Sequence, residues 1–122
     1  MGYSKVRITR GSGGWGGPIT VAPTGTKNKV VYITGGAKPE VAETIANLTG
    51  CELVDGFTHG VKDSEIACAV INCGGTLRCG IYPQKKIPTV NIMPTGKSGP
   101  LAMFMKEDIY VSGVKSRNIE KI

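Results

Sequence analysis

Three observations on the 122-residue chain predict an α/β fold. Ile and Val together number 23 against 4 Leu, a balance that favours strands. One stretch, 38–49, carries apolar residues at helical spacing between a proline and a glycine. The 18 glycines fall in clusters (11–17, 35–36, 74–75, 96–99), which mark tight turns or close backbone approach. The expected architecture is a mixed β-sheet with one major helix at about 38–49, a short helix near 100–107 and an N-terminal β-hairpin. All of 1–122 is expected to form one domain, because no linker or internal repeat divides it.

Residues 3–9 alternate and predict a strand, and Ile19–Val21 a second one beyond the run GSGGWGGP. Trp15 in that run is expected to cover one edge of the core. VVYIT (30–34) predicts a buried strand. In the helix, Pro39 suits the first turn, and Val41, Ala42, Ile45 and Leu48 share one face. Glu40 and Glu43 favour its positive end, and Gly50 terminates it. A short strand is expected at 51–54 and an exposed turn at 55–62. IACAVIN (66–72) is nearly all apolar and reads as a central strand. Ile81-Tyr82 reads as strand-like, and 89–93 as a strand. Pro100 can open the short helix, 109–114 read as a last strand or a helix–strand junction, and the tail reads only as charged.

Composition narrows the function classes. A hydrophobic fraction of 40% with mean hydropathy near zero opposes disorder. No apolar run reaches the roughly 18 residues a membrane span needs. The polar, basic start predicts no secretory signal. A net charge of +6 raises the possibility of nucleic acid, but 40–65 holds six of the nine acids and one base, Lys62. This split predicts an acidic face and a basic face, and the basic face suits a phosphorylated ligand or an acidic protein as well as RNA. Aromatics make up 6% and form no stacking pattern. Cys51, Cys68, Cys73 and Cys79 show neither a CxxC pair nor zinc spacing, so no metal or other cofactor is expected and free thiols fit best. Cys51 and Cys68 are expected in the core, and His59 in a solvent-facing turn.

Two motif matches fail on context. Gly11-Ser-Gly13-Gly-Trp-Gly16 satisfies GxGxxG, but Gly17-Pro18 and a β-rich ITV follow where a dinucleotide site needs a helix. Gly96-Lys97-Ser98 resembles the end of a P-loop, but Asn91 stands where the first glycine is required. The turn before Pro100 keeps a weaker anion-binding reading, with Lys97 beside it.

The strongest constellation is Cys73-Gly74-Gly75-Thr76-Leu77-Arg78 at the end of the predicted central strand. Paired glycines let successive N–H groups form an anion-binding nest. Thr76 adds a hydroxyl, and Arg78 a fork matched to phosphate oxygens. The same donors favour a Cys73 thiolate, which at an ordinary pKa is only about 3% ionised at pH 7. A phosphoryl-accepting thiol needs that nucleophile and that cradle. The tyrosine-phosphatase loop has five residues between Cys and Arg where this chain has four, and no clear helix is expected after it. A tight hairpin with a buried Cys73 is the simpler structural alternative. A Cys73–Cys79 redox pair and a basic nucleic-acid-binding module are the functional alternatives, and neither has a second supporting feature. Lys85-Lys86 lie near the loop in sequence and suit an acidic partner face.

GSGGWGGP (11–18), VINCGGTLRCGIYP (70–83), IPTVNI (87–92) and TGKSGPLA (95–102) followed by EDIYVSGVK (107–115) resemble the glucitol/sorbitol-specific enzyme IIB component of the bacterial phosphoenolpyruvate-dependent sugar phosphotransferase system. The resemblance covers nearly the whole chain. It implies a phosphocysteine at Cys73, a phosphohistidine IIA protein as donor, and glucitol or sorbitol in a membrane IIC protein as acceptor. It also implies a cytoplasmic location at the inner face of the membrane. Chains of this kind usually continue into membrane-embedded sequence. The resemblance does not assign roles to Thr76, Arg78 or Lys97; these follow from the loop chemistry alone.

Overall fold

The computed structural model describes residues 3–34, 38–56, 60–72, 78–94, 96 and 102–122, with Arg78, Cys79 and Ala102 described through their backbone. The predicted α/β class holds, with the strands divided between two sheets. Strands β1 (Val6–Ile8), β2 (Ile19–Val21) and β8 (Ile119–Lys121) form an antiparallel sheet in the order β2-β1-β8. Strands β3 (Lys29–Ile33), β4 (Glu52–Asp55), β5 (Ile66–Ile71), β6 (Thr89–Asn91) and β7 (Tyr110–Ser112) form a parallel sheet in the order β4-β3-β5-β6-β7.

The expected hairpin is β1 against β2, with Val6 and Ile8 turned inward and Arg7 outward. The tail that reads as merely charged supplies β8, paired to the other side of β1. Ile119 is its inward residue, and Arg7 lies opposite Glu120 with their charged groups 3.8 Å apart. One buried side chain in three residues is too short a pattern to announce a strand before its partner is known.

Helix α1 (Glu40–Thr49) realises the major predicted helix and stops at Gly50, whose N–H returns to the Ala46 carbonyl. Its buried face, Val41, Ala42, Ile45 and Ala46, joins Val6, Ile8 and Ile19 of the small sheet and Val30, Val70 and Val90 of the large one. The opposite face of the parallel sheet buries Val31, Ile33, Ala69 and Ile71 against Ile87, Met105 and Trp15. Coverage on both faces explains why all six residues of β5 are buried.

Helix α2 (Arg78–Gln84) replaces the strand-like reading of Ile81-Tyr82. Both neighbours of β5 are already taken, by β3 and β6, so this segment has no place beside the strand it leaves. A parallel crossover from β5 to β6 must travel back along the sheet, and a helix does so with its backbone satisfied. Because a helix does follow the Cys73 loop, only the four-residue spacing separates that loop from the phosphatase pattern. Within the predicted helix near 100–107, Ala102–Phe104 form a 3₁₀ turn. The Lys106 carbonyl then accepts the N–H groups of Ile109 and Tyr110, turning the chain into β7. Residues 100 and 101 lie outside the described residues.

Candidate functional site

All five strands of the large sheet run the same way, so their carboxyl ends share one edge. Ile33, Ile71, Asn91 and Ser112 stand in one row across β3, β5, β6 and β7. The chain leaves that row through Thr34, Asn72, Ile92 and Gly113. From β3 the chain moves to one side to make β4, and from β5 it moves to the other to make β6, so the topological switch point lies between the ends of β3 and β5. In open α/β sheets this is where ligands bind.

The two segments singled out by sequence chemistry both depart from this edge. Cys73, Gly74, Gly75 and Thr76 follow β5 and lie outside the described residues, as does Lys97 beyond β6. Arg78 is placed as the first residue of α2, so five residues connect Asn72 to that helix. Cys79 follows in α2, and His59 also lies outside the described residues.

A groove of about 430 Å³ opens at the carboxyl edge. One wall is the start of α1 (Pro39, Glu40, Val41), and the other is Ile92 with Val114–Arg117. In sheet order β5 lies between β3, which leads to α1, and β6, which leads to Ile92. Lys115 and Arg117 bring two cations to the groove against the single Glu40 carboxylate, and Thr44 Oγ1 lies 3.1 Å from Ser116 Oγ, tying the walls together. Sequence reading passed over Lys115 and Arg117, because their position depends on a contact between residues some 70 apart. A second cavity of about 450 Å³ lies at the β4 margin, but Glu52, Asp55 and Glu65 line it, and carboxylates repel a phosphoryl group.

The turn leaving β6 is fixed from inside. Asn91 is fully buried; its Nδ2 donates to the Tyr110 hydroxyl at 2.9 Å, and its Oδ1 accepts the Met93 N–H at 3.0 Å. The Tyr110 ring lies 6.1 Å from that of Trp15, and Gly96 sits against Trp15. The glycine-rich run thus reaches the beginning of the Lys97 segment. It does so as an edge-sealing strand: Gly16 bridges Val111 antiparallel, Ser112 N–H donates to Trp15 O at 2.9 Å, and Trp15 N–H donates to Ser112 Oγ at 2.8 Å. No helix opens from it, in keeping with rejection of the dinucleotide motif.

The described cysteines are core residues, as expected. Cys68 is fully buried and Cys51 nearly so, and burial pushes both thiols up from their ordinary range. They stay protonated and make poor nucleophiles. Of the Lys85-Lys86 pair, Lys85 is engaged with Asp63 at 3.1 Å. Among the described residues no helix is long and apolar enough to cross a membrane.

Comparison with known proteins shows the family. The family model described as sorbitol phosphotransferase enzyme II N-terminus matches residues 5–122. A curated protein of Clostridium beijerinckii named PTS system glucitol/sorbitol-specific EIIB component is 60% identical over 113 residues, covering 92% of this chain and 34% of the relative. The chain therefore spans about a third of the length of that relative. No solved structure matches.

Proposed function

The chain belongs to the sorbitol phosphotransferase enzyme II N-terminal family, and from that premise we propose that it relays a phosphoryl group through Cys73. The donor is a phosphohistidine of a glucitol/sorbitol IIA protein. The acceptor is a hydroxyl of glucitol or sorbitol held by a membrane IIC protein, so the relay operates at the cytoplasmic face of the membrane. No cofactor takes part.

In the first step the Cys73 thiolate attacks phosphorus in line; the S–P bond forms, the N–P bond breaks, and the donor imidazole leaves. In the second, a polyol hydroxyl attacks phosphorus, the S–P bond breaks, and the thiolate departs while the hydroxyl proton passes to solvent or a base. The N–H groups of Gly74 and Gly75, with Thr76, Arg78 and Lys97, hold the equatorial oxygens. Charge neutralisation and positioning are most of what phosphoryl transfer asks of a protein.

The observation that supports this most directly is the parallel pairing of β5 with β6. It starts the Cys73 and Lys97 segments from neighbouring strand ends, beside the switch point. Cys51 and Cys68, held protonated in the core, are poor competitors for the nucleophile's role.

Intact-mass measurement after incubation with phosphoenolpyruvate, the general phosphotransfer proteins and a glucitol-type IIA tests the proposal. One added phosphoryl mass is expected in the parent chain and in Cys79→Ser, and none in Cys73→Ser. No added mass in the presence of demonstrably phosphorylated IIA overturns it. Loss of two hydrogens on mild oxidation would then favour the Cys73–Cys79 redox pair.

A further inference from the structure

Among the described residues one buried side-chain polar atom has no hydrogen-bond partner: Oγ1 of Thr34. Leaving a hydroxyl buried and unpaired costs about 1–3 kcal/mol, and such groups are few in native proteins. Val has nearly the same shape as Thr, already precedes Thr34 at positions 30 and 31, and would remove the cost.

The position of this hydroxyl gives it a use. Thr34 is the first residue beyond β3, whose last residue, Ile33, pairs with Ile71 of β5. Thr34 thus stands level with Asn72, directly before Cys73, and on the β3 side of the switch point. In sequence Gly35-Gly36 follow it, as Gly74-Gly75 follow Cys73. A donor already desolvated and unpaired loses no protein partner when it turns to an incoming oxyanion, which makes its bond more favourable there than in water.

We propose that the Thr34 hydroxyl donates a hydrogen bond to the phosphoryl group in transit at this edge, making Thr34 a phosphoryl-binding residue of the relay. The inference rests on the phosphotransfer reading and adds a ligand from β3 to those expected from the Cys73 and Lys97 segments.

Thr34→Val and Thr34→Ser in the full chain test it by two readouts, the rate of phosphoryl uptake from phosphorylated IIA by intact mass and the thermal midpoint. Thr34→Val is expected to take up phosphate about tenfold more slowly or worse, the usual scale for a lost bond to a charged group, with a midpoint equal to or above the parent's. Thr34→Ser is expected to keep a rate near the parent's. Uptake by Thr34→Val at the parent rate overturns the inference and leaves the relay standing. A Thr34→Val chain with a lowered midpoint, or one that does not fold, shows the hydroxyl to be structural and also overturns it. Absence of uptake by the parent chain overturns the relay and this inference together.

Discussion

The two outer edges of the parallel sheet are finished in different ways. Beyond β7 the Gly11–Gly17 run lies antiparallel to the edge, its backbone exchanging hydrogen bonds with Ser112 and donating to Glu107. Beyond β4 no strand pairs among the described residues, and Glu52 and Asp55 occupy its two ends. Charge discourages further strand pairing, whereas a covering strand removes the open edge. The covered side is also the side on which Trp15 meets Gly96, so a fixed edge accompanies the segment expected to carry Lys97. A glycine pattern that looks like a nucleotide loop is a device for bringing one backbone onto another.

The largest effect that could break this contrast comes from the glycines themselves. A Cβ at Gly14 would overlap the Ser112 carbonyl, and one at Gly16 the Tyr110 carbonyl, at a backbone angle φ of +84° that side chains rarely adopt. Gly14→Ala and Gly16→Ala are each expected to cost about 3 kcal/mol or more in urea unfolding. Gly25 has nothing within reach of an added Cβ, and Gly25→Ala is expected to be neutral or to gain up to about 1 kcal/mol. Similar losses at all three positions would mean that the run is not held against β7 in solution.

How much could be read in advance follows the same division between local and distant causes. α1 was legible because Val41, Ala42 and Ile45 repeat at helical spacing, and β5 because six consecutive residues are buried on both faces. α2 was not: Ile81 and Tyr82 are good strand formers, and the helix reflects their place in the crossover from β5 to β6. β8 hides one buried Ile119 between charges, and its partner is more than a hundred residues away. Among the proposed site residues, Cys73, Gly74, Gly75 and Arg78 stand out because paired glycines and a guanidinium follow a cysteine within one short segment. Thr34 does not, since a threonine after VVYI reads as one more strand residue. Its missing partner is visible only in three dimensions.

The interior beside the open edge supplies a smaller, pH-dependent effect. Burial holds Cys68 protonated above its ordinary pKa of 9.0. The folded chain therefore retains a proton that the unfolded chain releases, and stability falls as pH rises past 9. Between pH 9 and 10 the loss is expected to be about 1 kcal/mol, read as a decrease in the urea midpoint. Cys68→Val should flatten that slope whatever it does to stability at pH 7. An unchanged slope would mean that Cys68 is not sequestered as the fold requires.

The smallest effect is expected at the open edge itself. Lys29 and Glu52 are register partners on β3 and β4, with Nζ 2.7 Å from Oε1, and the carboxylate hydrogen bond raises the lysine pKa. The raised pKa means that this stabilisation is complete below pH 10.5 and is lost as pH rises through the folded value. Both groups meet solvent, so ordering two long side chains offsets much of the attraction, and salt screens the rest. Glu52→Gln should therefore move the urea midpoint at pH 8 far less than Gly16→Ala, with the difference fading in high salt. A large, salt-insensitive loss would show that the charges brace β4 as firmly as the glycine run braces β7, and the two edges would then differ in chemistry but not in strength.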